Sequence, residues 1–206
     1  MNPKTLFNIS YGLYVLTTNL DGKDNGCIIN TVTQVAMNPD QITIAVNKAN
    51  YTRDLIATSR KFTASIISEA ADFSLFKHFG FQSGRNVDKF AGFADWQRGA
   101  NGAPIITAGT NAYIAGWVTQ EIDLGSHTLF VASVTDMDIL SDIPSCTYSY
   151  YHQHIKPKPQ SPTQAPAGKH VYRCKICGYE YVGDELPADF ICPLCKHPAS
   201  DFEQIS

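Results

Sequence analysis

Long apolar runs are missing from this chain. The longest, Ala112 to Val118, is far shorter than the roughly 20 residues that a membrane-spanning helix needs. Met1 to Leu6 hold no apolar block of signal-peptide length, so a cytoplasmic protein without a membrane partner is expected. Basic excess is missing as well: 16 Lys and Arg stand against 19 Asp and Glu, a net charge of −3. A nucleic-acid binder would carry a basic patch or stripe, and none is visible. No G-x-G-x-x-G occurs, and neither Gly22-Lys23 nor Gly168-Lys169 sits in a P-loop pattern, so a dinucleotide fold and a phosphate loop are unsupported.

What is present is a chain of 206 residues with 44% hydrophobic and 17% charged residues, enough for one ordinary domain plus something small. Its six cysteines are unevenly placed. Cys174, Cys177, Cys192 and Cys195 form two C-x2-C couples, while Cys27 and Cys146 are isolated. Paired couples in a cytosolic chain read as metal ligands rather than as a disulfide scaffold. Between Gln153 and Gly168 the composition changes, and four of the eleven prolines fall there: Pro157, Pro159, Pro162 and Pro166. Such a stretch favours polyproline II, a semi-rigid spacer of about 30–40 Å at most. The division expected is therefore a large domain over 1–152, a linker over 153–168 and a small module over 169–206. The module is too short to fold on apolar burial alone and needs a staple.

In the large domain, Tyr11 to Asn19 reads as a strand closed by a turn at Asp21-Gly22. Gly26 to Val35 and Gln41 to Asn47 read as further strands, separated by Asn38-Pro39-Asp40. Thr52 is expected to cap a short helix from Arg53 to Ser59, Phe62 to Ile67 returns to strand, and Ala70 to Phe79 suits a helix. Residues 112–124 and 127–140 make two long strands joined at Gly125-Ser126. Many strands with few short helices predict a mainly β barrel of α+β character.

Two facing knuckles offer four sulfurs in a tetrahedron, a set that suits iron or zinc. The stretch YRCKICGYEY with the later ICPLCKHPASDF resembles rubredoxin across residues 169–206, with Tyr172, Tyr179, Tyr181 and Phe190 as a small aromatic core. It departs in the 14 residues between the knuckles, fewer than free-standing rubredoxins carry. The resemblance implies one iron held by Cys174, Cys177, Cys192 and Cys195; a structural zinc ribbon is the alternative.

Four further segments, Asn25 to Val35, Ile44 to Thr52, Phe81 to Phe90 and Leu124 to Phe130, resemble in their order the flavin reductase-like family of FMN-binding split barrels. Lys48, Asn50 and Thr52, at a strand-to-helix turn, offer a cation, an amide and a hydroxyl for a phosphate. The resemblance implies that Asn25, Thr31 and the Val32 backbone address the isoalloxazine ring and ribityl chain, and that Ser83, Gly84 and Lys89 close the site. His127 matches the family's histidine near flavin and nicotinamide, although Ser126 stands where an acidic residue is usual. Cys27 reads as a buried core thiol, with approach to the flavin as the alternative, and Cys146 reads as a core thiol in the same way. Tyr148, Tyr150, Tyr151 and Trp117 read equally as packing or flavin-edge residues.

The two resemblances together are those of high-molecular-weight rubredoxins. They imply an oxidoreductase that takes hydride from NAD(P)H onto FMN and passes single electrons through the iron to a partner. That partner would be a flavodiiron nitric oxide or oxygen reductase, or another rubredoxin-dependent terminal reductase. They also imply a homodimer with FMN at its interface. The rival reading is an electron carrier or zinc docking module with no nucleotide activity of its own.

Overall fold

The computed structural model describes residues 1–157, 168–175, 178–192 and 198–205. Cys177 and Cys195 lie outside the described residues, as do Pro159, Pro162 and Pro166 of the expected linker. The chain divides into two compact units, Met1–Gln153 and His154–Ser206.

The first unit is built on one antiparallel sheet of seven strands. In chain order these are β1 (Tyr14–Leu20), β2 (Lys23–Ile29), β3 (Val32–Ala36), β4 (Gln41–Asn47), helix α1 (Tyr51–Ser59), β5 (Lys61–Ile67) and helix α2 (Phe73–Gly80). A small hairpin follows, β6 (Trp96–Arg98) and β7 (Pro104–Ile106), and then the long strands β8 (Thr110–Asp123) and β9 (His127–Ile139). The spatial order is β2-β1-β5-β8-β9-β4-β3. Its two edges, β2 and β3, are consecutive in the chain and separated only by Asn30 and Thr31. Two residues span at most about 7 Å of extended chain, so the sheet has to curl until its edges meet. The result is the barrel that the alternating strands predict, of the split-barrel kind that the resemblance implies.

Inward-facing side chains fill it. Leu16, Cys27, Ile44, Phe62, Val118 and Phe130 come from six strands and pack with Ile56 of α1 as one cluster. Phe62 and Phe130 are fully buried, and each contributes about 1.5–3 kcal/mol from area removed from water. Bulges in β8 at Ala115/Gly116 and Val118/Gln120 bend that strand around the barrel.

Two expectations change at the α1 end. The apolar stretch Gly26 to Val35 is not one strand: the barrel seam breaks it into β2 and β3. The α1 cap is Asn50 rather than Thr52, its side chain accepting the Thr52 N–H at 3.0 Å, which frees the Thr52 hydroxyl for another use. Helix α2 starts later than expected because Asp72 caps it through Ser74 N, an interaction that holds the Asp72 carboxyl below its ordinary range. Past β9, the chain makes a helical turn at Tyr148–Tyr150 and a π-helical stretch at Tyr151–Ile155.

The second unit holds a three-stranded antiparallel sheet with β10 (His170–Cys174) between β11 (Glu180–Gly183) and β12 (Phe202–Gln204). Its buried residues, among those described, are Val171, Cys174, Cys192 and Phe202.

Candidate functional site

On β2 the period of two puts Lys23, Asn25 and Cys27 on one face, running from solvent into the barrel. Asn25 is 2% exposed, and its amide donates to the Thr52 hydroxyl at 3.0 Å. The Asn25 carboxamide lies where a side chain on Gly84 would have to go: a Cβ there would come within 2.0 Å of Asn25 Oδ1. Glycine is required at this close approach. Lys89 comes in from the following loop. It is 3% exposed, and its ammonium donates to the carbonyls of Gly26 at 2.7 Å and Phe79 at 2.8 Å.

Burial dominates the electrostatics of this cluster. It pushes the Lys89 ammonium down to about 8, opposed by the nearby Cys27 thiol. It pushes the Cys27 thiol up, opposed by Thr52, the Lys89 charge and Asn50. Asn25, Asn50, Thr52, Gly84 and Lys89 of the expected set therefore converge around Cys27. Cys146 is buried elsewhere, its thiol pushed up to about 11 by burial.

The other expected residues stand apart. Thr31 sits at the seam, where its hydroxyl donates to Ala45 O at 2.6 Å, and Val32 pairs with Ile44. Ser83 is exposed, its hydroxyl accepting Arg85 N–H at 3.2 Å. Lys48, the cation expected at a phosphate, has its ammonium 2.6 Å from Asp123, and the β4–α1 turn docks on the β8–β9 hairpin through Lys48 N–H to Ser126 O at 3.0 Å. His127 opens β9 at that hairpin, opposite Asn47, with Nδ1 2.9 Å from Ser126 Oγ. Ser126 thus partners the ring directly. Trp117 is 51% exposed on β8, whereas Tyr151 packs on Phe76 with centroids 4.4 Å apart.

Cys27 is a buried thiol and also lies within the polar cluster, a position that the alternation of β2 implies once Asn25 is placed. One feature escaped the sequence reading. Arg53 bonds the fully buried Thr128 at 2.8 Å and Glu121 at 3.2 Å, tying α1 to β8 and β9. No spacing rule in the sequence announces that pair.

In the second unit, β10 ends at Cys174, whose N–H donates to Tyr179 O at 2.8 Å while Gly178 N–H returns to Cys174 O at 2.9 Å. Gly178 has φ +80°, which closes this knuckle tightly. Ile191 bridges Pro198 in antiparallel fashion, bracketing Cys192. Phe190 is the aromatic hub, 4.8 Å from Tyr181, 6.4 Å from Tyr179 and 5.3 Å from Phe202. Cys174 and Cys192 are 1% and 0% exposed. Two sulfurs form half of the described buried core here, an arrangement that suits a soft metal ion and leaves little apolar burial to replace it. The first unit fits its cofactor in the same sense, since amide, hydroxyl and ammonium donors beside the start of a helix match a flavin's phosphate and ribityl oxygens.

A family model described as flavin reductase like domain matches residues 6–158, and one described as rubrerythrin, rubredoxin-like domain matches residues 172–203. The high molecular weight rubredoxin of Moorella thermoacetica is 34% identical over the whole of both chains. The ferric-chelate reductase (NAD(P)H) of Archaeoglobus fulgidus is 35% identical over 77% of this chain and 93% of its own. The solved NADH:FAD oxidoreductase of Streptomyces globisporus shares the fold, with a TM-score of 0.64 and 24% identity over 71% of this chain and 86% of its own. Both halves of the chain are thus accounted for, one by a flavin and one by iron. The chain belongs to the flavin reductase-like family, a flavin-dependent electron-transfer oxidoreductase that carries a rubredoxin-like module at its C-terminal end.

Proposed function

We propose that the chain oxidises NAD(P)H and delivers the electrons singly to a protein partner. A bound FMN supplies two-electron acceptance and one-electron release, and a four-thiolate iron carries one electron at a time. Asn25, Thr52 and the Asn50-capped start of α1 hold the phosphate and ribityl end. Lys89 adds a buried positive charge whose third N–H is left for the ligand. Gly84 and Ser83 border that end, and Thr31 and Val32 supply the seam beside it. His127, its Nδ1 tied to Ser126, turns Nε2 to the donor. Cys174, Cys177, Cys192 and Cys195 would hold the iron, and a centre with four thiolate ligands would supply one-electron transfer without bond chemistry.

The observation that carries this reading is the cradle Asn25–Thr52–Gly84–Lys89 on a chain whose sequence also holds two C-x2-C couples. We assign 1–152 to the flavin domain, 153–168 to a tether and 169–206 to the iron module. The tether raises the effective concentration of one centre near the other. We assign a flavodiiron or other rubredoxin-dependent terminal reductase as the acceptor; the rubredoxin-like module and the relative named a high molecular weight rubredoxin support electron transfer. Val35, Trp117, Ile122, Met137 and Ile139 stand exposed on β3, β8 and β9, all in one half of the sheet, and support a homodimer. No helix among the described residues is long and apolar enough to cross a membrane; a cytoplasmic site is our assignment.

Anaerobic titration with NADH and NADPH tests the proposal. Flavin and ferric-thiolate absorption should both bleach at catalytic rates. Bleaching only after a separate reductase is added would replace it with the carrier reading, and absence of the ferric-thiolate bands would indicate zinc.

A further inference from the structure

Three cations, Lys23, Arg53 and Arg85, gather at the start of α1, and a fourth, Arg60, caps its end. Arg53 shares its guanidinium between Asp54 at 3.3 Å and Glu121 at 3.2 Å, Arg60 takes the other Glu121 oxygen at 3.2 Å, and Arg85 pairs with Asp54. Lys23 has no carboxylate within ion-pair distance among the described residues. At the start of α1, Lys23, Arg53 and Arg85 thus meet Asp54 and a Glu121 that is shared with Arg60, a local excess of positive charge on a chain whose net charge is −3.

Two of these cations converge on one ring. Lys23 Nζ lies 5.0 Å from the Tyr51 centroid, and the Arg85 guanidinium carbon lies 4.6 Å from it. They reach it from β2 and from the loop after α2. Cation–π attraction holds each of them there, yet like charges gathered at one site repel, and an anion placed between them relieves that repulsion. The location is specific. Tyr51 precedes Thr52 in the chain, Arg85 follows Gly84, and Lys23 shares a face of β2 with Asn25. Each residue of this group borders one residue of the buried cradle, but none belongs to it, and Lys23 and Arg85 are exposed to solvent.

We infer that Lys23, Tyr51 and Arg85 form a second phosphate-binding position beside the flavin cradle, taking a phosphate of the adenine-nucleotide donor. The inference rests on the proposed NAD(P)H oxidation. The guanidinium fork offers paired donors to phosphate oxygens, and the lysine adds a point charge. The phosphate has two possible sources in such a donor: the 2′-phosphate of NADPH, or the diphosphate common to NADPH and NADH.

Calorimetric titration of the flavin-loaded full chain separates them, using 2′,5′-ADP, 5′-ADP and adenosine as probes. Tighter binding of 2′,5′-ADP assigns the position to the 2′-phosphate, and equal or tighter binding of 5′-ADP assigns it to the diphosphate. Lys23→Gln and Arg85→Gln should each weaken the phosphorylated probes about tenfold and leave adenosine unaffected. Both side chains are exposed, so the variants should fold. Unchanged affinities in both variants overturn the inference. So does loss of 5′-ADP and 2′,5′-ADP binding when flavin is loaded into apoprotein, which would return these cations to the flavin's own cradle. The donor reading fails separately: a holoprotein that neither NADH nor NADPH reduces overturns it, whatever the probes do.

Discussion

Gly84 has no side chain, and the Asn25 carboxamide occupies the space that freedom leaves. Gly84→Ala therefore has to displace Asn25 and break its bond to Thr52. We expect flavin affinity to fall at least tenfold, measured by fluorescence titration of the apoprotein, because a buried amide then loses its partner. Lys89 makes a prediction about pH. Its charge is present below about 8 and lost above, so affinity for the phosphate of FMN should be greatest below pH 8 and decline as pH rises through it. In Lys89→Met the decline should vanish from a titration series between pH 6 and 10. Stability moves the opposite way for this residue. Its folded value lies below 10.5, so the unfolded chain binds more protons between about 8 and 10.5 and stability rises with pH there. Cys146, raised from 9.0 to about 11, works against that rise in its own window. Thr52 was legible from its strand-to-helix turn, whereas Asn25 and Lys89 were legible only through resemblance, since no composition rule marks an amide, a hydroxyl and an amine 27 and 37 positions apart as neighbours.

At the scale of elements, α1 shows how a local rule can name the right turn and the wrong residue. Both Asn50 and Thr52 are cap-forming types, and spacing alone does not choose between them; the choice follows from Asn25, which claims the Thr52 hydroxyl. Asn50→Ala should cost about 1 kcal/mol in urea unfolding. Lys48→Ala should leave stability unchanged within error, because its pair with Asp123 is solvent-exposed and screened. Finding the reverse order would show that the β4–α1 turn depends on the hairpin more than on its cap. The hairpin itself was legible almost to the residue: alternation over β8 and β9 carries its own signal, and Gly125-Ser126 marks the turn. The β2–β3 break was not, because the apolar pattern runs on through Ile28 and Ile29 towards Val32, and only closure of the barrel demands a corner there.

For the whole molecule, the two units rest on different sources of stability. The first has an apolar core drawn from six strands and a helix, and the second has two sulfurs among its four described buried residues. Iron removal by chelation should therefore unfold the C-terminal module, seen as loss of amide dispersion for residues 169–206, while flavin affinity is retained. Cys192→Ser should abolish reduction of the iron and leave the flavin reducible by the donor; simultaneous loss of flavin would contradict the division into two modules. If the exposed apolar half of the sheet forms the dimer, Trp117→Glu should shift sedimentation towards the monomer. The presence of a C-terminal metal module was the easiest large feature to read, because paired cysteines speak in composition, whereas the association of β-faces speaks only once strands have neighbours.

The seam at Asn30 and Thr31 acts as a ruler. Strand β2 has its register set by β1, and β3 has its own set by β4; two residues are all that separates the settings. One residue deleted there would leave too short a connection between the settings, so β3 would have to slide a step along β4, turning Val32 from the core to solvent and releasing the Thr31 hydroxyl from Ala45. A corner with no charge, thiol or phosphate ligand of its own thereby sets the tolerance of the cradle, and deletions should be accepted almost anywhere on the rim before they are accepted here.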